Sequence, residues 1–285
     1  MSIKDTKRFG LLLRTFATKQ EDVMNRVDAI EEMALRADLL TLFSRIDVLV
    51  WADKRYPDSD CGGTVSALNE NTMFRACRRV HNFESGDLFC GILNYGIAKQ
   101  MRDRIDYTMI ASTEAIDYLN DVNVDSMLVA LEHGARATGV AINELTESVM
   151  AGRLANTMCM WDTVALMSVG GFDFRAAKPM NDKNAHYLRG MSPEGKEVYY
   201  PLAGVEEVIP LARLVDTYGP CLAPILPWGV ARYQLPDPAL QSELYARHMK
   251  KFGTKLERQT ALLSSVGYDL SYLAGGVMPE YRNQK

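Results

Sequence analysis

The sequence has no run of about 18 apolar residues, so no segment is expected to cross a bilayer as a helix. It has no Cys-x-x-Cys pair. Cys61, Cys77, Cys90, Cys159 and Cys221 are scattered, and the four histidines are scattered as well. Such spacing gives no zinc signature and predicts reduced thiols in a cytoplasmic protein. An excess of positive charge is also missing: the formal net charge is -4, so no basic field invites nucleic acid. Internal repeats and low-complexity linkers are absent from the sequence. The opening "MSIKDTKRFGLLLRTF" lacks the apolar length of a secretory leader, because only Phe9 to Leu13 precede Arg14 and an h-region needs roughly 7–15 residues. A buried first strand explains that stretch better.

Core-forming residues are present in ordinary proportion. Hydrophobic residues make up 47% and charged residues 24% of a 285-residue chain, which is enough for one large α/β domain, alone or with a helical appendage. Phe9 to Leu13 is followed by helical spacing over residues 20 to 44, where Val23, Val27, Ile30, Met33, Ala34, Ala37 and Leu40 recur three or four apart. "IDVLVWAD" predicts a second strand ending at Asp53, and "KRYPDSDCGG" a loop. Thr64 to Leu68 opens a helix or a short connection, and a further helix starts at about Leu88. "DYTMIASTEA" reads as a strand from Tyr107 to Ala111, closed by Ser112, Thr113 and Glu114. The segment after it is helical in its second half, with Gly139 as the stop signal, and "VAINEL" is a strand.

Alternating strands and helices predict a mostly parallel sheet wrapped by helices. Ligands of such sheets sit beyond the carboxyl ends of the strands, which places Arg14, Asp53 and Glu114 on one rim. Each residue alone is a polar strand end meeting water; the three together read as a binding edge. Past residue 150 the pattern changes. A helix is expected from Trp161 to Ser168, stopped by Gly170 and Gly171. Residues 173 to 202 read as a long irregular loop. "GVEEVIPLARLVDTYG" sets Glu206 and Glu207 at a helix start, where the macrodipole favours negative charge, and ends it at Gly219. "PCLAPILPW" is a last short strand with prolines at its edges.

Four stretches fall in a familiar order. "VLVWADKRYPDSDCGGT", "GILNYGIAKQMRDRIDYTMIASTEA", "MSVGGFD" and "GVEEV" resemble, in order and spacing over roughly residues 8 to 228, family 2-type glycosyltransferases with the GT-A fold. The resemblance implies a Rossmann-like, mostly parallel sheet flanked by helices over residues 1–228, with residues 229–285 as a C-terminal helical extension. It also implies a nucleotide-sugar donor. Asp53 stands where the family contacts the nucleobase. Arg14, Thr15 and Phe16 stand where the first strand reaches the nucleotide, although the family's Pro-x-aromatic-Asn pattern is missing there. Ser112, Thr113 and Glu114 fall on the Asp-x-Asp positions, so Glu114 is the implied metal ligand and Ser112 replaces the first acid. Asn94, Gly170, Gly171 and Asp173 line up with the donor or acceptor side.

The implied chemistry needs acids. Negative charge develops on a departing nucleoside diphosphate and is usually stabilised by Mg²⁺ or Mn²⁺. One carboxylate beside a hydroxyl holds such a cation when the diphosphate completes the ligand shell. Without a metal, Arg175, Lys178 and Lys183 are the alternative cations. An inverting transferase also needs a base for the acceptor hydroxyl. Glu207 is the expected base, with Glu206 orienting the acceptor or the loop, and adjacent carboxylates raise each other's proton affinity. The plainer reading is an acid-decorated helix start. Trp161 reads as core before sugar platform, and His186 as a loop histidine.

Three functions compete: a glycosyltransferase acting on a glycan, lipid or protein acceptor; a GT-A-fold protein without catalysis that binds a glycan or protein partner; and a nucleotidyltransferase. The last expects a Gly-rich phosphate loop where this chain has "RTFATKQED". The extension, with Leu240, Leu244, Met249, Phe252, Leu256, Leu262 and Leu263, is suited to packing on the main domain, pairing as a homodimer or lying on a membrane surface, but its basic residues Arg247, Lys250, Lys251, Lys255 and Arg258 are mixed with acids, so strong membrane attachment is not expected.

Overall fold

Consecutive apolar residues are what a strand needs when helices cover both faces of its sheet. Phe9–Thr15 (β1) and Phe43–Trp51 (β2) have such runs. The computed structural model describes residues 2–15, 23–51, 61–70, 78–83, 89–141, 149–176, 187–191, 197–201, 204–228 and 254–282, with isolated positions between 239 and 249. The further strands are β3 (Arg78–Phe83), β4 (Tyr107–Ala111), β5 (Ala137–Val140), β6 (Met158–Asp162), β7 (Tyr187–Met191), β8 (Glu197–Pro201) and β9 (Leu222–Ile225). The helices are α1 (Ile3–Thr6), α2 (Val23–Leu39), α3 (Cys61–Glu70), α4 (Phe89–Arg102), α5 (Asp121–Glu132), α6 (Thr163–Ser168), α7 (Val208–Tyr218), α8 (Lys255–Ser264) and α9 (Leu270–Gly275).

Seven strands form one sheet in the order β3-β2-β1-β4-β6-β5-β9. Every pairing is parallel except those of β6, which runs against both β4 and β5. The sheet is therefore mixed and mostly parallel, as expected, and six of its strands end on one edge. Side chains alternate along β1. Leu11 and Leu13 join α2 and α5 in one core layer, while Leu12 joins α4, α6, α7 and α8 in the other. Leu262 and Leu263 of α8 lie fully inside that second layer, so this part of the tail packs on the main body.

Several boundaries differ from those expected. Trp161 lies in β6, and the helix begins only at Thr163, capped by Asp162 through Ala165 N at 2.9 Å. An unbroken apolar run suits a buried strand as well as a helix, and periodicity cannot separate them. Gly139 sits inside β5; Gly134, with φ 99°, ends the segment after α5. The strand expected at "VAINEL" starts earlier, at Ala137, and ends at Val140. The expected loop at residues 173–202 contains the antiparallel β7–β8 pair. Cys61 to Gly63, expected in a loop, belong to α3. β3 was not anticipated, because its sequence "RRVHNF" is charged.

The charge in β3 answers a buried acid. Asp47 of β2 is fully buried. Arg79 donates to it twice, at 2.7 and 3.0 Å, Gln100 of α4 donates at 3.0 Å, and His81 Nε2 lies 2.8 Å away. Gln100 also accepts from Thr108 at 2.8 Å and fills the space that any side chain at Gly10 would need. Burial alone would push the Asp47 carboxyl up; His81, Arg79 and Gln100 together hold it below its ordinary value.

Asp47→Ala is expected to cost about 3–5 kcal/mol, read as a lower urea midpoint at neutral pH. A depressed folded pKa contributes stability above the unfolded value and loses it as pH falls through the folded one. The gap between the natural chain and Asp47→Asn should accordingly narrow as pH drops below about 4. A gap that widens would contradict the assignment.

Candidate active site

Arg14 is the last-but-one residue of β1, and alternation puts it on the face of Leu12, under α4 and α7. Its Nη1 donates to Glu206 Oε1 at 3.0 Å. Glu206 and Glu207 immediately precede α7 and are only 5% and 3% exposed. Glu207 occupies the N-cap position, but its side chain makes no capping hydrogen bond. The carboxylates are thus turned inward, and the reading of a solvated acidic helix start does not describe them. Lys255, the first residue of α8, brings its Nζ to 3.5 Å from Glu207 Oε1. Burial pushes the Glu207 carboxyl up; Lys255 opposes this, Glu206 adds to it, and the carboxyl stays above its ordinary value. That is the direction a general base at neutral pH requires.

Two buried thiols flank the acids. Burial and the charges of Glu206, Asp173 and Glu207 push the Cys90 thiol well up, and burial does the same for Cys159. Both remain protonated and unreactive.

Gly170 and Gly171 form the turn after α6, with φ 94° and 64°. Asn94 of α4 clamps it: Asn94 Nδ2 donates to the Phe172 carbonyl at 2.9 Å and Oδ1 accepts from Phe172 N at 2.8 Å. Asp173 follows, with both oxygens engaged by Arg175 at 2.9 and 2.8 Å and a further contact from Arg213 at 3.3 Å. The Arg175 hydrogen bonds lead in holding its carboxyl below the ordinary value, against burial. Asn94, the glycine pair and Asp173 are therefore one locked unit next to the acids. Trp161 is fully buried and meets Phe172 edge-on at 5.5 Å, as a core residue does.

The register of β1 and β4 pairs Leu13 with Ala111, so Ser112 follows β4 at the level of Arg14. The Ser112 hydroxyl is covered and has no hydrogen-bond partner among the described residues. Glu114, exposed, lies in the first turn of the 3-10 segment Thr113–Tyr118. No group of three His, Cys, Asp or Glu side chains suited to a metal exists among the described residues. An exposed carboxylate two residues after an unpartnered hydroxyl suits a cation that arrives with phosphate oxygens, and does not suit one gripped by protein alone. Thr15 is buried on the opposite face of β1 from Arg14. Phe16, Asp53, Lys178, Lys183 and His186 lie outside the described residues.

Sequence reasoning missed Lys255 and Arg258. Their three-residue spacing, continued by Leu262, put them on one face of α8, but nothing in the local sequence said which acids that face meets.

A methyl at Gly171 would stand 2.5 Å from Asn94 Oδ1, at a φ that L-residues avoid. Gly171→Ala is expected to lose about 1–2 kcal/mol from backbone conformation alone, with more from the clash. Thermal unfolding of Gly171→Ala should show this loss, and Asn94→Ala in the same chain should return part of the clash component.

No family model matches the sequence, and no curated protein matches it. Among solved structures, the chain is similar to the mannosyltransferase PcManGT from Pyrobaculum calidifontis, solved in complex with GDP-Man and Mn²⁺. The identity is 12%, the alignment covers 94% of this chain and 69% of that one, and the TM-score is 0.52. A glucosyl-3-phosphoglycerate synthase from Mycobacterium tuberculosis, in complex with Mg²⁺ and uridine diphosphate, aligns at 12% identity over 90% of this chain and 80% of that one, with a TM-score of 0.45. What the likeness to the mannosyltransferase establishes is the architecture: this chain has the GT-A-like fold that its motif order implies.

Proposed function

We propose that this protein is a glycosyltransferase that moves a sugar from a nucleotide-sugar donor to an acceptor hydroxyl, with inversion. The observation that carries the reading is the buried Glu206–Glu207 pair, held against Arg14 at the edge where the sheet's parallel strands end. That edge is where open α/β sheets bind ligands. The mannosyltransferase of the same fold carries a nucleotide sugar and Mn²⁺.

Glu207 takes the acceptor proton as the acceptor oxygen bonds to the anomeric carbon. The bond from that carbon to the diphosphate breaks, and its electron pair leaves with the diphosphate. Glu206, tied to Arg14, fixes the turn from which Glu207 projects. Arg14, near the end of β1, and Ser112, just after β4, meet the donor. Asn94, Gly170, Gly171 and Asp173 shape the wall beside it. A divalent cation, Mn²⁺ or Mg²⁺, would be held by Glu114 with the diphosphate oxygens and would offset the charge on the leaving group. A GT-A-fold protein that binds a glycan without catalysis is the outcome if transfer fails while binding persists.

Calorimetric titration with UDP, GDP and deoxythymidine diphosphate, each with and without Mn²⁺, tests the donor site. One nucleotide is expected to bind in a metal-dependent manner and to lose that dependence in Glu114→Ala. Absence of binding by every nucleotide under both conditions would overturn the proposal. With the donor known, Glu207→Gln should lower kcat by about 10²–10⁴-fold while leaving donor affinity unchanged.

A further inference from the structure

The first turn of the tail helix α8 has the favoured acid, Glu257, on its exposed side, but its inward side is arranged against local preference. A helix N-terminus carries partial positive charge and disfavours cations, yet Lys255 is the first residue of α8 and Arg258 follows one turn later. The cap does not compensate, since the Thr254 side chain makes no capping hydrogen bond. Both cations are nonetheless taken out of water. The Lys255 side chain is 12% exposed and Arg258 is 6% exposed. The face they share continues into Leu262 and, beside it, Leu263, which anchor the helix in the core layer below α7. Two cations buried at the wrong end of a helix need a reason, and Glu206 and Glu207 supply it.

We infer that Lys255 and Arg258 of α8 are positioning residues of the acid pair, clamping Glu207 so that its carboxyl is held in place and aimed. The inference rests on the reading of Glu207 as the base. Lys255 makes the direct ion pair, at 3.5 Å. Arg258 lies in the field of both acids, its Nε donates to the Thr254 carbonyl at 3.3 Å, and its Nη1 would stand 3.3 Å from a methyl at Gly204, just before the acids. Arg14 holds Glu206 from β1. The groups facing Glu207 are thus Arg14 of β1, Cys90 of α4, Cys159 of β6, its neighbour Glu206, and Lys255 and Arg258 of α8. The thiols carry no charge at neutral pH, which leaves, among the described residues, three cations about two acids. Two of these three come from α8. Helix α8 of the tail thereby becomes part of the active site and not an appendage to it.

The test follows the Glu207 carboxyl directly, by carbon NMR of glutamate-labelled protein with the signal assigned through Glu207→Gln. Lys255→Met, which keeps the stem and removes the charge, is expected to raise the Glu207 midpoint by about one pH unit or more. Lys255→Arg should return it most of the way. In the natural chain, the Lys255 Nζ signal should shift as Glu207 titrates, a readout that needs no variant to fold. An unmoved Glu207 midpoint in Lys255→Met, or a Lys255 signal blind to that titration, overturns the clamp. These signals do not require turnover, so they decide the clamp even if no nucleotide binds. Where transfer is measured, the acid limb of the kcat profile should move up with the Glu207 midpoint in Lys255→Met, with donor KM unchanged.

Discussion

A carboxylate removed from water must meet a cation, a set of donors or a proton. This chain meets that constraint twice on the same face of its sheet, with opposite results. Asp47 is enclosed by Arg79, His81 and Gln100 and is kept a firm anion. Glu207 has one lysine at a longer distance and a second acid beside it, and burial prevails. The first arrangement is a fixed structural joint. The second leaves a carboxyl with raised proton affinity, the direction that the proposed base requires.

α4 connects the two. Near its C-terminus Gln100 joins the Asp47 network. At its middle Gly96 lets the helix approach Leu12 and Leu49 so closely that a methyl there would fall 2.6 Å from Leu12 Cδ1. Two residues earlier Asn94 holds the glycine turn, and one turn before it Cys90 sits near the acid pair. Packing, turn geometry and electrostatics are therefore transmitted along a single 14-residue helix. Arg14 ties the same acids to the central sheet.

The parallel half of the fold was legible because β1, β2 and β4 each contain a short apolar run followed by polar residues. The acid pair was legible as a motif, but its burial was not. Whether Glu206 and Glu207 face water is set by Arg14, nearly two hundred residues earlier in the chain (|i−j| = 192), and by α8 on the other side. β3 stayed hidden for a related reason: Arg79 and His81 look like surface residues until Asp47 is placed beside them. β6 and α6 merged into one apolar stretch, and only the cap at Asp162 separates them. Short sequence windows record local periodicity; they do not record which distant charge makes a buried polar residue tolerable.

The tail also closes the sheet. Val277 bridges to Leu222, Gly276 accepts from the backbone of Cys221 and Leu222, and Met278 donates back to Leu222. These bonds occupy the start of β9, the terminal strand on that side. An uncovered terminal strand offers a row of unpaired backbone groups to any other extended chain. A chain ending before α8 would lose this cover along with Lys255 and Arg258, so self-association and loss of the active-site clamp would arise from the same cut.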